Sequence, residues 1–441
     1  MTKNQFMLEA GRHLASRLKT LRAACFALST LLALCLLSAA PARAAIGTAD
    51  TVPAATLLVP YFEADLGNAN GPQTSIRLTN ASATAILVKA VLWTDYGVPT
   101  YNFPIYLTGF QSTDIDVRLL LNGAPPVTAS AGQDPTDRIS PKGMLSQDIN
   151  FASCSGKLPL TMLPAATSAG LRNAHTGQSS TLLGGNCGGV AYGDNVARGY
   201  ITFDLVNNCT TRIPGDTGYF GSGGIGDVTN QNLLTGSVVY LNRSQNLAFS
   251  EPLVSVEASR GSGVSSASNY ADPLTNGTGA NTFYGRYSGF TAQDNREALF
   301  SISQGRYLNG GVFSSGTQLV VWRDPGVVVT PFACGGAPAG FPLGQNEIVA
   351  FDEQEHYFKV AGSPFPYATQ LVSSSSLSIP FTFGFLRLNL TQASGDPAVA
   401  GRQQSYVSMR YLSGGVYGGS LPAQQINNAG YPASSNFKIA P

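Results

Sequence analysis

Charge is scarce in this chain of 441 residues: only 12% are Asp, Glu, Lys or Arg, 26 basic against 25 acidic. No block of Lys and Arg stands out, which argues against the phosphate-neutralising surface that nucleic acid or an anionic bilayer requires. Histidine is rarer, with three residues. No Cys-x-x-Cys occurs and no histidine stands at ligand spacing from a cysteine, so neither a zinc site nor any other cofactor is expected. No Gly-x-Ser-x-Gly elbow offers a hydrolase nucleophile. What is plentiful is Gly, at 49 residues, together with Ser, Thr and Asn, and an alternation of apolar and polar residues along short runs.

The first 44 residues read as a leader. Lys3, Arg12, Arg17, Lys19 and Arg22 precede an apolar run from Ala23 to Ala40, and Ala42-Arg43-Ala44 supplies the small-x-small pattern of a signal peptidase site. The run matches the shortest spanning helices, roughly 17–25 residues, but Pro41 and the Ala-x-Ala site favour cleavage after Ala44 over an uncleaved anchor. The expectation is an exported chain, periplasmic, cell-surface or extracellular, with no membrane span after cleavage. Six of the 26 basic residues and one of the 25 acidic ones lie in the leader, which leaves a mature net charge of about −4. Cys25 and Cys35 leave with it. Cys154, Cys187, Cys209 and Cys334 remain, and an even number in an exported chain reads as two disulfides with three possible connectivities.

The densest pattern runs from Thr56 to Leu121. In one run Thr74, Ile76 and Leu78 oppose Ser75, Arg77 and Thr79; in another Tyr101, Phe103, Ile105 and Leu107 share a face; in a third Thr113, Ile115 and Val117 oppose Asp114, Asp116 and Arg118. A period of two marks half-buried strands, and such regular spacing predicts an antiparallel sandwich. Ile86 to Trp93 is apolar on both faces except for Lys89, so it is expected to be the central strand, with Trp93 in the core and Lys89 reaching solvent. The fold class expected is all-β, one or more antiparallel sandwiches with long disulfide-stapled loops. Residues 45–260 form a first β-sandwich domain with Cys-bearing insertions, and 261–441 a second β-rich part packed on it. The linker candidate is Arg260 to Thr282, where Gly, Ser, Asn and Asp dominate.

In the second part, Thr291 to Leu299 is the best candidate for a short helix. Strands are expected at Gln318 to Trp322, Glu347 to Phe351, Leu377 to Leu390 and Ser405 to Leu412. Within Leu377 to Leu390, Phe381, Phe383 and Phe385 point one way and Leu386, Leu388 and Leu390 the other, as in a strand buried on both sides or bent at Gly384. Leu92-Trp-Thr-Asp-Tyr-Gly-Val and Val321-Trp-Arg-Asp-Pro-Gly-Val resemble each other and hold both Trp residues. They read either as a duplicated domain with paired aromatic platforms or as two strand ends opening into turns. Turn chemistry alone accounts for the second reading, which is preferred.

The segments TLLVPYFEADL, IRLTNASATAILVKAVLWTDYGVPTYNFPIYLTGF, ARGYITFDLVNNC and LVVWRDPG resemble a family of exported bacterial proteins of unassigned function, across most of the mature chain. The resemblance implies export and a β-rich fold, and carries no activity, substrate or catalytic residue.

Few residues offer chemistry. His175, in Asn-Ala-His-Thr-Gly, reads as a loop histidine bonded to backbone. Asp352, Glu353, Glu355 and His356 form the densest ionisable cluster; paired carboxylates there could bind Ca²⁺ or share a proton, but a solvated strand end or turn is preferred and no metal site is expected. Glu63 and Asp65 read as the solvent face of an edge strand. Asp65, Asn68 and Asn70-Gly71 have calcium-loop residue types without the spacing. Gly221 to Gly226 matches Gly-x-Gly-x-x-Gly but precedes no helical pattern. Asn80, Asn208, Asn242, Asn276 and Asn389 open sequons that chance explains. The expected function is a non-enzymatic exported surface, matrix or binding protein, its partner a cell-surface polymer or protein; the alternatives are a secreted glycan-acting hydrolase with paired carboxylates and, less favoured, an outer-membrane barrel. No catalytic residue is assigned. The cysteines are expected to pair as Cys154–Cys187 and Cys209–Cys334, with Cys187–Cys209 and Cys154–Cys334 as runner-up, each bond closing a long loop.

Overall fold

Alternation becomes strand wherever the sequence shows it most regularly. The computed structural model describes residues 52–128, 151–221, 225–258, 282–288, 294–391, 403–414 and 418–426. The expected leader, nearly all of the Arg260–Thr282 linker, the sequon at Asn276 and most of the tail after Gly414 lie outside the described residues. Nine strands come from the first half: β1 (Thr56–Asp65), β2 (Pro72–Asn80), β3 (Ile86–Thr94), β4 (Pro99–Leu107), β5 (Ser112–Asp116), β6 (Val196–Val206), β7 (Leu234–Asn242), β8 (Leu247–Pro252) and β9 (Val254–Val256). They make two antiparallel sheets, in the orders β4-β3-β6-β1-β9 and β5-β2-β7-β8. Ile76, Leu78 and Ile115 from one sheet meet Leu57, Val88, Phe103 and Ile201 from the other in a shared core. Each such side chain, once buried, contributes roughly 1.5–3 kcal/mol.

The second half supplies β10 (Ile302–Leu308), β11 (Gly316–Arg323), β12 (Glu347–Phe351), β13 (Tyr357–Lys359), β14 (Thr369–Ser373), β15 (Phe383–Asn389), β16 (Ser405–Leu412), β17 (Gly418–Pro422) and β18 (Gln424–Ile426). These form sheets β13-β12-β15-β10-β18 and β14-β11-β16-β17, again antiparallel. The protein is thus all-β and sandwich-like. Its described strands lie in four open sheets, not the single closed sheet of a barrel, and the described residues all fall in one compact unit.

Strand pairing repeats between the halves. β2 pairs with β5 and β7 as β10 pairs with β15 and β18. β3 pairs with β4 and β6 as β11 pairs with β14 and β16. Even the register agrees: Trp93 stands opposite Tyr200, and Trp322 opposite Tyr406. The turn that joins β3 to β4 directly is replaced in the second half by a long insertion carrying β12 and β13. Turn chemistry explains the local likeness of the two Trp segments, but only a repeated topology explains their matching partners. Both indoles are buried, so they serve as core and not as platforms.

Several expectations need correcting. Lys89 does not reach solvent. Both faces of β3 are covered, and its ammonium donates to Asn102 Oδ1 and, at 2.5 Å, to the Thr210 carbonyl. The run after Asp116 turns into a short helix, α1 (Val117–Leu121), because the Asp116 side chain caps it by accepting from the Leu119 amide. The helix expected from Thr291 does not form in its described part. Arg296 and Glu297 instead bridge to Ala258 and Thr282, since the buried charge of Arg296 is drawn to Asp204 and Asp294. β15 starts at Phe383, and its phenylalanine face is open, with Phe383 and Phe385 37% and 38% exposed. Gly384 is needed there for close approach, as a Cβ would lie 1.7 Å from the Phe351 carbonyl oxygen.

The disulfides are Cys154–Cys209 and Cys187–Cys334, the connectivity that the loop argument left out. Backbone pairing decides it. Cys187 and Phe332 exchange two hydrogen bonds, at 2.9 and 3.1 Å, and bring Cys334 alongside. The Cys209 amide donates to Ser153 Oγ at 2.8 Å, which seats Cys154 against the chain leaving β6. One bond therefore stays within the first half and the other joins the halves.

Candidate ligand-binding groove

The halves meet through three layers of contact. The innermost is aromatic: Tyr200 stacks on Trp93 with centroids 5.7 Å apart and meets Trp322 edge-on at 6.0 Å. Beside it, Arg286 donates to Asp324 at 2.8 Å and to the Tyr200 hydroxyl at 3.0 Å. A second buried layer joins Arg296 to Thr56, Asp204 and Asp294, with the Tyr219 and Tyr284 hydroxyls donating to Asp204 at 2.6 and 2.9 Å. Burial drives the Asp294 carboxyl upward, opposed by the Arg296 charge.

The third layer is incomplete. On β16, Val407, Met409 and Tyr411 enter the core of the second half, so Ser408 and Arg410 face the other way, towards the first half. Arg410 is 1% exposed. Its guanidinium carbon lies 3.9 Å from the Tyr240 ring centroid, a cation–π contact. Its Nε is 3.9 Å from Glu251 Oε1, close enough for charge compensation and too far for a hydrogen bond. Neither Nε nor Nη2 finds an acceptor among the described residues. Glu251 is itself 3% exposed and accepts from the Ser408 hydroxyl at 2.7 Å.

Arg410 lines a cavity of about 210 Å³ together with Glu63, Tyr240, Asn242, Gln318 and Leu371, so both halves build it. Gln245, Leu247 and Gln318 also line a wider depression of about 540 Å³ that reaches Ser315 and Gly414. The two share Gln245, Leu247 and Gln318 as lining and adjoin along a groove between the β7–β8 turn and the strands β11 and β16. Asn242 rigidifies that turn, its Oδ1 accepting from the Gln245 amide and its Nδ2 donating to Gln245 Oε1. The wider depression by itself falls in the range of ordinary ligand sites, roughly 300–1,000 Å³, and the Arg410 cavity is smaller.

Of the residues singled out from sequence, Glu63 alone among the ionisable candidates reaches this groove. β9 flanks β1 only over Thr56–Leu58, so at Glu63 the strand pairs with β6 alone. On the other side the Glu63 amide donates to the Thr74 hydroxyl, which donates in turn to the Glu63 carbonyl. The Tyr61 hydroxyl donates to its Oε2 at 3.2 Å. Asp65 stays outside and serves a turn, Oδ1 accepting from the amides of Gly67 and Asn68 at 3.0 and 2.9 Å. Asn68 does the same for Asn70. Asp352 to His356 form the tip of the β12–β13 hairpin. Asp352 accepts from the Gln354 and His356 amides and from His356 Nδ1, while Glu353 pairs with Arg306. Among the described residues no cluster of three or more His, Cys, Asp or Glu is placed to hold a metal.

His175 is not in a loop. It ends α2 (Ala165–His175), 2% exposed, with Nδ1–H donating to the Arg198 carbonyl at 2.9 Å and Nε2 accepting from Thr100 at 2.8 Å. Burial pushes its pKa down to about 4. Residues 222–224 of the Gly-rich loop lie outside the described residues. Asn80 is fully buried, its amide donating to the Thr84 and Thr108 carbonyls. Arg410 escaped sequence reading because an Arg on the polar face of an alternating strand ordinarily points to water. The available signal was that its neighbours on that face are Ser408 and Tyr406, neither of which is charged. Among the described residues no helix is long and apolar enough to cross a membrane. No protein-family model, curated protein or solved structure matches the chain.

Proposed function

We propose that the protein is an exported, non-enzymatic surface or matrix component that binds a ligand in the groove at Arg410. One observation carries this reading: Arg410, a cation 1% exposed whose carboxylate partner Glu251 lies beyond hydrogen-bond distance at 3.9 Å, is among the residues that line an open cavity. The second reading, a glycan-acting hydrolase, draws on Glu63 in the groove and Glu251 behind Arg410. Glu251 is engaged by Ser408 and sits beside the guanidinium, an arrangement that holds Arg410 and leaves Glu63 without an opposite carboxylate.

The test uses the mature chain and its Arg410→Lys variant, which keeps the charge and removes the planar fork. Both are titrated with laminarin, dextran, arabinoxylan, alginate and gelatin, reading melting temperature and release of reducing ends. The expected result is that at least one polymer raises the melting temperature, with at least tenfold weaker binding in the variant and no reducing ends released. Reducing ends that Glu63→Gln abolishes would establish the hydrolase instead. Binding indifferent to Arg410 would remove the groove from the reading.

A further inference from the structure

We infer that the groove takes a neutral, hydroxyl-rich chain, a glycan without carboxylates or sulfates, laid from the Arg410 pocket along the β7–β8 turn. This rests on the groove being the binding site. Charge comes first. Arg410 is compensated by Glu251 at 3.9 Å, and Glu63 adds a further carboxylate to the lining. An anion entering to meet Arg410 would lie beside Glu63, and a cation drawn by Glu63 would lie beside Arg410. A neutral ligand avoids both repulsions.

Hydrogen bonding comes next. Arg410 offers only donors and the Glu63 carboxyl oxygens offer acceptors, so a group that meets both accepts from one and donates to the other. A hydroxyl does both. Farther along, the amides of Gln245 and Gln318 offer donors and acceptors alike, and Leu247 and Leu371 present apolar surface. Sugar rings match this alternation, with hydroxyls at their edges and C–H faces between.

An extended peptide fits less well, because it would gain most of its affinity from a free strand edge. Along β11 and β7 the backbone is taken on both sides: Gln318 pairs with Ser373 and Arg410, and Tyr240 with Thr74 and Phe249, which leaves β8, the end strand of its sheet, as the edge beside the groove.

Affinity electrophoresis of the mature protein decides it, through gels containing laminarin, dextran or arabinoxylan as neutral probes, alginate as a uronate probe and gelatin as a peptide probe. The expected result is retardation by at least one neutral glycan, weakened at least tenfold by Glu63→Gln and by Arg410→Met. Since Arg410→Met risks the fold, Gln245→Trp is run beside it. That change obstructs the groove from the exposed β7–β8 turn, away from the buried ion pair, and it should weaken retardation to the same degree while leaving the melting temperature within a few degrees. Retardation by alginate or gelatin alone, dependent on Arg410, would refute the neutral-glycan inference and keep the groove as a binding site. Retardation by none of the five, or by any of them irrespective of all three variants, would refute both.

Discussion

His175 offers a sharp test of how the first half is packed. Burial holds its pKa at about 4 instead of 6.5, so an unfolded chain takes up this proton near pH 6.5 and the folded chain only near pH 4. Above pH 6.5 the ring is neutral in both states and its native hydrogen bonds are intact. As pH falls through that window the unfolded state gains a proton that the native state refuses, and stability declines until both are protonated below pH 4. A change from 6.5 to about 4 corresponds to about 3.4 kcal/mol. His175→Gln keeps a donor for the Arg198 carbonyl and an acceptor for Thr100 but cannot titrate. At pH 7.5 the variant should be less stable by about 1–2 kcal/mol, because the ring packed 5.3 Å from Phe62 is lost. Between pH 7.5 and 4 it should lose about 3 kcal/mol less than the wild type. Urea unfolding followed by Trp fluorescence reads both, since Trp93 and Trp322 are buried. The His175 imidazole Cε1–H resonance gives an independent check. Parallel stability profiles, or a His175 resonance titrating near pH 6.5, would refute the reasoning.

Asp95 should act in the opposite direction over the same window. Burial raises its carboxyl to about 7, against the pull of the Val190 amide, so its ionisation erodes stability as pH rises from 3.8 to 7, by about 4 kcal/mol; Asp95→Asn should steepen the acid-side loss seen in urea titrations. Lys89 is pushed down to about 8, chiefly by burial, so stability should rise between pH 8 and 10.5. Lys89→Met should abolish that rise and change stability at pH 7 by no more than about 1–2 kcal/mol, as relief from desolvation offsets the two orphaned acceptors. Removing the Cys187–Cys334 bond, which spans 147 residues, should destabilise by about 5 kcal/mol in the chain-entropy model, and removing Cys154–Cys209, which spans 55, by about 4. Paired Cys→Ser variants compared in denaturant check the order, and non-reducing peptide mapping should recover a Cys187–Cys334 peptide.

Much of the secondary structure was legible along the chain. The strands from Thr56 to Asp116 were readable because alternation in a half-buried strand is a local property: Ile76 and Leu78 face the core and Arg77 faces water whichever strands flank them. β3 was recognisable as central because it is apolar on both faces, and it does pair on both sides. Polarity on a strand's second face does not by itself mean exposure. Lys89, Glu251 and Arg410 are all buried, because a second sheet or loop covers the face on which they lie.

Sequence by itself therefore determined the class of object: an antiparallel all-β chain, the positions of the regularly alternating strands, and cysteines even in number after the expected leader. Tertiary structure alone decided which polar faces are sealed, which cysteines meet, and that Glu63 and Arg410, 347 positions apart in the chain, line one cavity. The physical reason is range. Strand periodicity and turn chemistry are set within a few residues, whereas burial of a polar face and pairing of distant thiols depend on what packs against them from the other half. Cys187 could not be matched to Cys334 by loop length, because the match is made by two backbone hydrogen bonds to Phe332, and nothing in the spacing of cysteines records them.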